Sequence, residues 1–341
     1  MTHETSDALV SVVIPTYNMR QWICEAIDSA LAQTYPNIEI IVIDDGSTDG
    51  TAALLRARYG DRVRYAYQAN RGRGAARNAG LRLARGAYIQ FLDADDVLCP
   101  DKIAAQAEFL AENARYAVVY GVSHLFVDGN PGHTWAYPAA RHYTSGDLLP
   151  LMVRHGGLFQ LLPALVRREW VERVGGFDET MTRCEDYDFW LRMAHAGAAF
   201  AYLPGAPVAL YRKVPARLEG DAAEALAHTA GQLHALRKLA AALSADARRQ
   251  LGVEGAMARA QYEHGCALLR NRRRGEGVST MRRCFRALDL RNRIHALVYI
   301  LFGRWVPYPW LADSLAAFDR ARYRLRRLAR RASSRQPQGS A

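Results

Sequence analysis

Ala87-Tyr88-Ile89-Gln90-Phe91-Leu92 runs directly into Asp93-Ala94-Asp95-Asp96. A short apolar run that ends in several carboxylates reads as a buried strand opening on a ligand crevice. Open α/β sheets bind ligands outside the carboxyl ends of their strands. Carboxylates packed this closely repel one another unless a cation sits between them. Mg²⁺ in such a place is typically held by one or two carboxylates together with substrate phosphates, so the pattern points to a metal and a diphosphate. The competing reading is local: Asp95-Asp96 caps a helix beginning near Pro100, a position Asp favours.

The sequence on either side repeats this pattern. Residues 9–14 and 38–43 are short β-branched runs that end at Pro15-Thr16-Tyr17-Asn18 and at Asp44-Asp45-Gly46-Ser47. Residues 63–67 and 88–92 read as two further strands. Between them, Trp22, Ile23, Ala26, Ile27, Ala30 and Leu31 recur at helical spacing, and residues 73–84 and 100–112 read as helices. Ser47, Thr48 or Asp49 suits the N-terminus of the helix carrying Leu54 and Leu55. Such alternation implies right-handed βαβ units and a Rossmann-type, mostly parallel sheet flanked by helices, an α/β fold. The loops at 15–18, 44–47 and 93–96 then gather at one edge.

Composition bounds the rest. The chain has 341 residues, half of them hydrophobic, enough for about two domains. Five cysteines without a C-x-x-C pair suit reduced thiols and a cytoplasmic protein better than disulfides or zinc. The N-terminus is polar and partly acidic, unlike a signal peptide. Residues 1–218 carry 22 Lys+Arg against 24 Asp+Glu, and residues 219–341 carry 23 against 10. A nearly neutral front and a strongly basic rear imply different roles.

Five blocks carry a family resemblance in order and spacing. They are Val12-Val13-Ile14-Pro15-Thr16-Tyr17-Asn18; Val42-Ile43-Asp44-Asp45-Gly46-Ser47-Thr48-Asp49; Asn70-Arg71-Gly72 with Ala76-Arg77-Asn78-Ala79-Gly80; Phe91-Leu92-Asp93-Ala94-Asp95-Asp96; and Val174-Gly175-Gly176-Phe177-Asp178-Glu179 with Glu185-Asp186-Tyr187-Asp188-Phe189-Trp190-Leu191-Arg192. Together, over about residues 9–212, they resemble the family 2 glycosyltransferases. The resemblance implies a GT-A-like fold, a divalent metal (Mg²⁺ or Mn²⁺), inversion at the anomeric carbon and a nucleotide-sugar donor. A UDP-sugar comes first, with dTDP- and GDP-sugars as alternatives.

The residues bear separate readings. Tyr17 offers a ring for stacking on a base, and Pro15 fixes the turn that presents it. By resemblance Asp45 reads the base while Asp44 braces the loop, and Asn18 and Gly72 complete the donor site. Gly72-Arg73-Gly74-Ala75-Ala76-Arg77 lacks the last glycine of a dinucleotide fingerprint, yet its glycines open a helix N-terminus suited to negative charge. Arg77 faces the nucleotide or pairs with one of the clustered carboxylates. The resemblance gives Asp93 to the ribose or metal shell and Asp95 to the metal, with Asp96 as support. Asp186, with Glu185 beside it at an outward-facing helix N-terminus, is the candidate catalytic base, since neighbouring carboxylates can raise one pKa. The alternative is that Glu185, Asp186 and Asp188 only complement the helix dipole. Trp190 reads as core. The histidines lack zinc spacing, and His155 reads as a satisfied loop residue or part of the acceptor side.

Residues 1–217 are therefore expected to form the catalytic domain, 218–331 a basic helical region and 332–341 a disordered tail. Residues 294–302 are apolar but too short to span a bilayer. Trp305, Tyr308, Trp310 and seven arginines between 320 and 331 suit an anionic membrane surface; the bland alternative is a packed appendage with a solvated basic face. The expected activity is sugar transfer to a glycan or lipid-linked acceptor in cell-surface polysaccharide or glycolipid synthesis, in the cytoplasm or on the inner membrane face. A nucleotidyltransferase is the enzymatic alternative, although Pro15-Thr16-Tyr17-Asn18 lacks the glycine-rich basic loop it wants. A non-enzymatic protein that binds membrane or nucleic acid through the basic tail is the other. No nucleic-acid motif is present, so no nucleic-acid partner is expected.

Overall fold

The computed structural model describes residues 8–214, 222–302 and 305–311. They cluster into two units, residues 8–214 with 230–253, and residues 222–229 with 254–302 and 305–311.

In the first unit β1 (Val10–Thr16), α1 (Ile23–Leu31), β2 (Ile38–Asp44), α2 (Thr51–Tyr59), β3 (Arg64–Tyr67), α3 (Arg73–Leu83) and β4 (Tyr88–Phe91) alternate as expected. There follow β5 (Val97–Leu98), α4 (Lys102–Glu112), β6 (Val118–Tyr120), β7 (Ser123–Val127), β8 (Asn130–Ala136), α5 (Leu149–His155), β9 (Ala164–Arg167), α6 (Arg168–Arg173), α7 (Glu185–His195), β10 (Phe200–Tyr202) and β11 (Ala209–Lys213). Seven strands form the main sheet in the order β10-β6-β9-β4-β1-β2-β3. It is parallel except where β9 runs antiparallel to β4 and β6. Four short strands, β5-β11-β7-β8, make a second sheet that the sequence reading did not anticipate.

β1 carries the chain direction reversal, with β2 on one side and β4 on the other. That is the switch point at which such sheets bind ligands. The strand also continues through Pro15, which the sequence reading treats as a breaker. Leu92 N–H donates to Val13 O and Asp45 N–H to Thr16 O, so alternate residues face β4 and β2. Pro15 falls on the β4 side, just past the last pair, Val13 with Phe91, where no N–H is needed. Helix α3 lies close on this strand, because a Cβ at Gly80 would sit 2.3 Å from Val13 Cγ1.

Three local expectations change. Strand β5 follows the acidic cluster, so Asp95-Asp96 caps no helix; α4 begins at Lys102. Of the residues expected at the start of α2, Asp49 does the work, its Oδ1 accepting from Thr51 N–H at 3.0 Å and Thr51 Oγ1 at 2.6 Å. The expected boundary at 217/218 also differs from the observed grouping. Residues 230–253 cluster with the catalytic unit. The reason is an ion pair: Lys238 Nζ lies 2.6 Å from Asp178 and 2.8 Å from Asp188. Residues 332–341 lie outside the described residues.

The second unit is helical. It holds the start of α8 (Ala222–Ala242), whose later residues and α9 (Ala245–Leu251) group with the first unit, then α10 (Val253–Arg270), α11 (Arg274–Cys284) and α12 (Leu290–Phe302). Leu269, Val278, Met281, Leu288, Ala296 and Tyr299 form its core. Among the described residues no helix is long and apolar enough to cross a membrane.

One buried lysine tests the packing of the α/β unit. Lys102 is 2% exposed, and its ammonium donates to Gln90, to Gln106 Oε1 at 2.6 Å and to Ala164 O, with no carboxylate partner. Burial pushes it well below the usual lysine range. The unfolded chain therefore holds a proton that the folded protein lacks, between that lowered value and about 10.4, and the site's contribution to stability rises with pH across this window. Denaturant unfolding of the parent and of Lys102→Met at pH 7 and pH 10 should show the parent gaining stability relative to the variant. An unchanged difference would mean a solvated ammonium.

Candidate active site

The ends of β1, β2 and β4 bring the first donor residues together. Tyr17 is 48% exposed, its ring open to one side. Asn18 has φ 52°, and it locks two loops together: its N–H donates to Ser47 Oγ at 2.9 Å and its Oδ1 accepts from Thr48 N–H at 2.8 Å. Asp44 braces the turn as expected, accepting from Ser47 N–H at 2.8 Å and from the Tyr65 hydroxyl at 2.8 Å. Asp45 is buried and reaches across to the next loop. Its oxygens accept from Gln68 Nε2 at 2.7 Å, Arg71 N–H at 2.9 Å and Gly72 N–H at 2.8 Å. The N–H groups before α3, which the sequence offers to an anion, are thus partly taken by the protein's own carboxylate. Gly72, at φ 89°, makes the turn that allows it.

Arg77 joins this edge to α7. It is 2% exposed, with one guanidinium nitrogen 2.6 Å from Asp93 Oδ1 and another 2.7 Å from Glu185 Oε1. Of the two sequence readings of Arg77, the pairing with a clustered carboxylate is the one the structure contains. Arg73 adds a second cation 3.3 Å from Glu185. Glu185 is consequently buried and does not face outward, because two arginines neutralise it inside the protein. Asp188 is buried too, held by Arg192 at 2.8 Å and by Lys238.

Asp186 differs from both neighbours. It is half-buried, and its Oδ1 accepts from its own neighbour, Tyr187 N–H, at 2.8 Å. Loss of hydration and the adjacent Glu185 charge raise its pKa above the usual range, against the pull of Arg77 and Arg73. Burial also works to raise Asp93, but the Arg77 and Arg73 charges outweigh it and hold that carboxyl below its ordinary value. The two carboxylates are therefore tuned in opposite directions, a mark of divided chemical roles.

The loop holding Asp95 is fixed from the second sheet by Arg212, a residue the sequence reading passes over as the end of the catalytic stretch. Its backbone N–H donates to Asp96 Oδ1 at 2.9 Å and its Nε to Asp95 O at 2.7 Å, while its other nitrogens pair with Asp128 and Glu25. Asp96 is buried, the support it was expected to be. Asp95 and Asp93 remain half-buried at the strand end. No group of three or more His, Cys, Asp or Glu among the described residues could enclose a metal alone. Two adjacent carboxylates do fit a hard cation whose other ligands are phosphate oxygens.

Sequence reasoning also missed an aromatic face. Tyr211 pairs across the second sheet with Leu125, and Leu125 with Trp135, so all three lie on one side. Burial and then the charges of Asp96, Asp93 and Asp95 raise the Tyr211 phenol. Tyr137, just past β8, is raised by burial and by Asp186. Trp190 is core, packed on Phe159 and Phe189. His155 stacks on His142 with ring centroids 4.3 Å apart.

Residues 11–171 match the family model for glycosyl transferase family 2. The match covers just under half of the chain and lies within the first unit. An uncharacterized glycosyltransferase of Rickettsia typhi is 34% identical over 206 residues, covering 59% of this chain and 63% of the relative. The chondroitin synthase of Escherichia coli is 35% identical over 195 residues, 55% of this chain and 27% of the synthase. The chain thus spans less than two thirds of the length of either relative. Residues 1–349 of S. aureus TarS, solved in complex with UDP-GlcNAc, share the fold with a TM-score of 0.62 at 17% identity, over 91% of this chain and 92% of that one. The GT-A-like arrangement expected from the sequence is the one observed.

If Arg77 neutralises two carboxylates in a dry setting, removing it strands a buried charge. Arg77→Met should cost about 3 kcal/mol in urea unfolding at pH 7. Glu185→Gln added to that variant should restore part of the loss, because a buried amide costs less than an unpaired carboxylate. A cost below about 0.5 kcal/mol would place the pair in the class of screened surface bridges.

Proposed function

We propose that the chain transfers a sugar from a nucleoside-diphosphate donor to an acceptor hydroxyl, with inversion at the anomeric carbon. The observation that carries this reading is Asp186: a half-buried carboxylate with a raised pKa, next to a Glu185 that Arg77 ties to the donor edge. Tyr17 stacks on the base. Asp45 keeps acceptor capacity for a base N–H, since a carboxylate oxygen can take two donors. Asp95, with Asp93, would hold the divalent cation, which supplies positive charge to the departing diphosphate.

Asp186 takes the proton of the acceptor hydroxyl as that oxygen bonds to the anomeric carbon. The bond from that carbon to the diphosphate oxygen breaks, and its electrons leave with the nucleoside diphosphate. Attack from the face opposite the leaving group inverts the centre. Glu185 is a positioning residue: it fixes the start of α7 and, by its charge, keeps Asp186 a stronger base. Tyr137, near enough to feel the Asp186 charge, offers an aromatic ring for an acceptor saccharide. A glycan or lipid-linked saccharide is accordingly the proposed acceptor, a reading that the relative named chondroitin synthase supports.

A donor panel tests the proposal. UDP-sugars come first, because the fold is shared with a protein solved with UDP-GlcNAc, and dTDP- and GDP-sugars follow. One donor should raise the melting temperature in the presence of Mn²⁺ or Mg²⁺ and be turned over. Asp95→Ala should lose the metal-dependent part of that binding. Asp186→Asn should keep donor binding and lose at least about a hundredfold in turnover, the usual contribution of a positioned base. Loss of donor binding in Asp186→Asn, or normal turnover in Asp95→Ala at saturating metal, refutes these roles.

A further inference from the structure

Helix α12 buries one face and leaves an apolar stripe on the other. His295, Ala296 and Tyr299 point into the core of the second unit. Opposite them, Leu290, Ile294, Leu297 and Leu301 recur at i, i+4, i+7 and i+11, the spacing of a single helix face. Leu290 is 71% exposed, Leu297 46% and Leu301 56%, and the stripe continues to Phe302 and to Trp305 at 80%. A large apolar stripe kept in water is unfavourable, and contiguous exposed patches of this kind mark interaction surfaces.

The charges around the stripe say what covers it. Arg291 and Arg293 are exposed and flank it on either side, and residues 290–302 contain no acid. Arg282, Arg283 and Arg286 are exposed just before the helix. Residues 219–341 together hold 23 basic against 10 acidic residues. A second copy meeting this face by twofold symmetry would set arginine against arginine. Nucleic acid would satisfy the arginines but leave the leucines against phosphate. A surface with an acyl interior and anionic headgroups satisfies both.

We propose that α12 lies flat in an anionic lipid surface, with Leu290, Leu297 and Leu301 below the headgroups and Arg291 and Arg293 among them. Thirteen residues make a helix of about 20 Å, too short to span but suited to lying in the interface plane. Trp305 at the end of the stripe is the residue type enriched at that depth. The proposal is independent of the chemistry assigned to the α/β unit.

Sedimentation of the full chain with vesicles tests it. The chain should bind phosphatidylglycerol-rich vesicles and not phosphatidylcholine vesicles. Leu297→Asp with Leu301→Asp should weaken binding at least about tenfold while keeping the parent melting temperature, since both positions are exposed. Arg291→Gln with Arg293→Gln should weaken it by about fivefold per arginine at low salt and by less at high salt. Brominated acyl chains should quench tryptophan fluorescence, and Trp305→Phe, which leaves α12 unchanged, should remove part of that quenching. A parent that ignores anionic vesicles, or a leucine variant that binds as the parent does, overturns the proposal. So does a parent dimer that the leucine variant converts to monomer, which would make a second copy the occupant.

Discussion

One buried guanidinium organises the candidate active site. Arg77 spends its charge on two carboxylates from distant parts of the chain: Asp93 at the end of β4 and Glu185 at the start of α7. Glu185 could not sit so far from water unpaired, since an isolated buried charge is very costly. The pairing does more than neutralise. It holds Asp93 ionised at the strand end, while Asp186, the next carboxylate along α7, is shifted upward by burial and by the Glu185 charge. Charge and position are set by the same contact.

The surrounding loops are fixed in the same manner, each by a side chain from another. Asn18 ties the end of β1 to the turn after β2, and Asp45 ties that turn to the entry of α3. Asn78 on α3 exchanges hydrogen bonds with the backbone of Phe177, at 2.8 Å and 2.9 Å, and so seats the Gly175-Gly176 turn ahead of α7. Arg212 does the same for the Asp95 loop. A constellation held by such cross-bracing loses little on binding substrate, which is the advantage of preorganisation. Helix α3 is the shared support: Gly80 lets it lie against β1, and Arg73, Arg77 and Asn78 project from it toward both halves of the site.

Much of this was legible in the sequence because the signals are local. Strand periodicity and a terminal acidic cluster are contiguous, so the main sheet, the edge bearing the loops and the brace role of Asp44 follow from short windows. What was illegible depends on distance along the chain. Glu185 reads as exposed at a helix N-terminus until Arg77, 108 residues away, is seen to bury it. Arg212 meets Asp95 across 117 residues, and nothing near Arg212 announces that contact. The second sheet escapes a local reading because β5 has only two residues and β8 opens on Asn130-Pro131-Gly132, which reads as a turn. Lys238 redraws the domain boundary for a similar reason, since its partners lie some fifty to sixty residues earlier. The stripe on α12 was visible as an apolar run, but which of its residues face outward required the core on its other side.

Arg77 holds Asp93 ionised at the end of β4, while Asp186 at the start of α7 stays the more basic group. Titration of carbon-13-labelled aspartate side chains followed by nuclear magnetic resonance reads this directly. Asp186 should titrate above, and Asp93 below, the value of about 3.9 for a free aspartate. An Asp186 that titrates at or below that value, with Asp93 unshifted, would contradict the account.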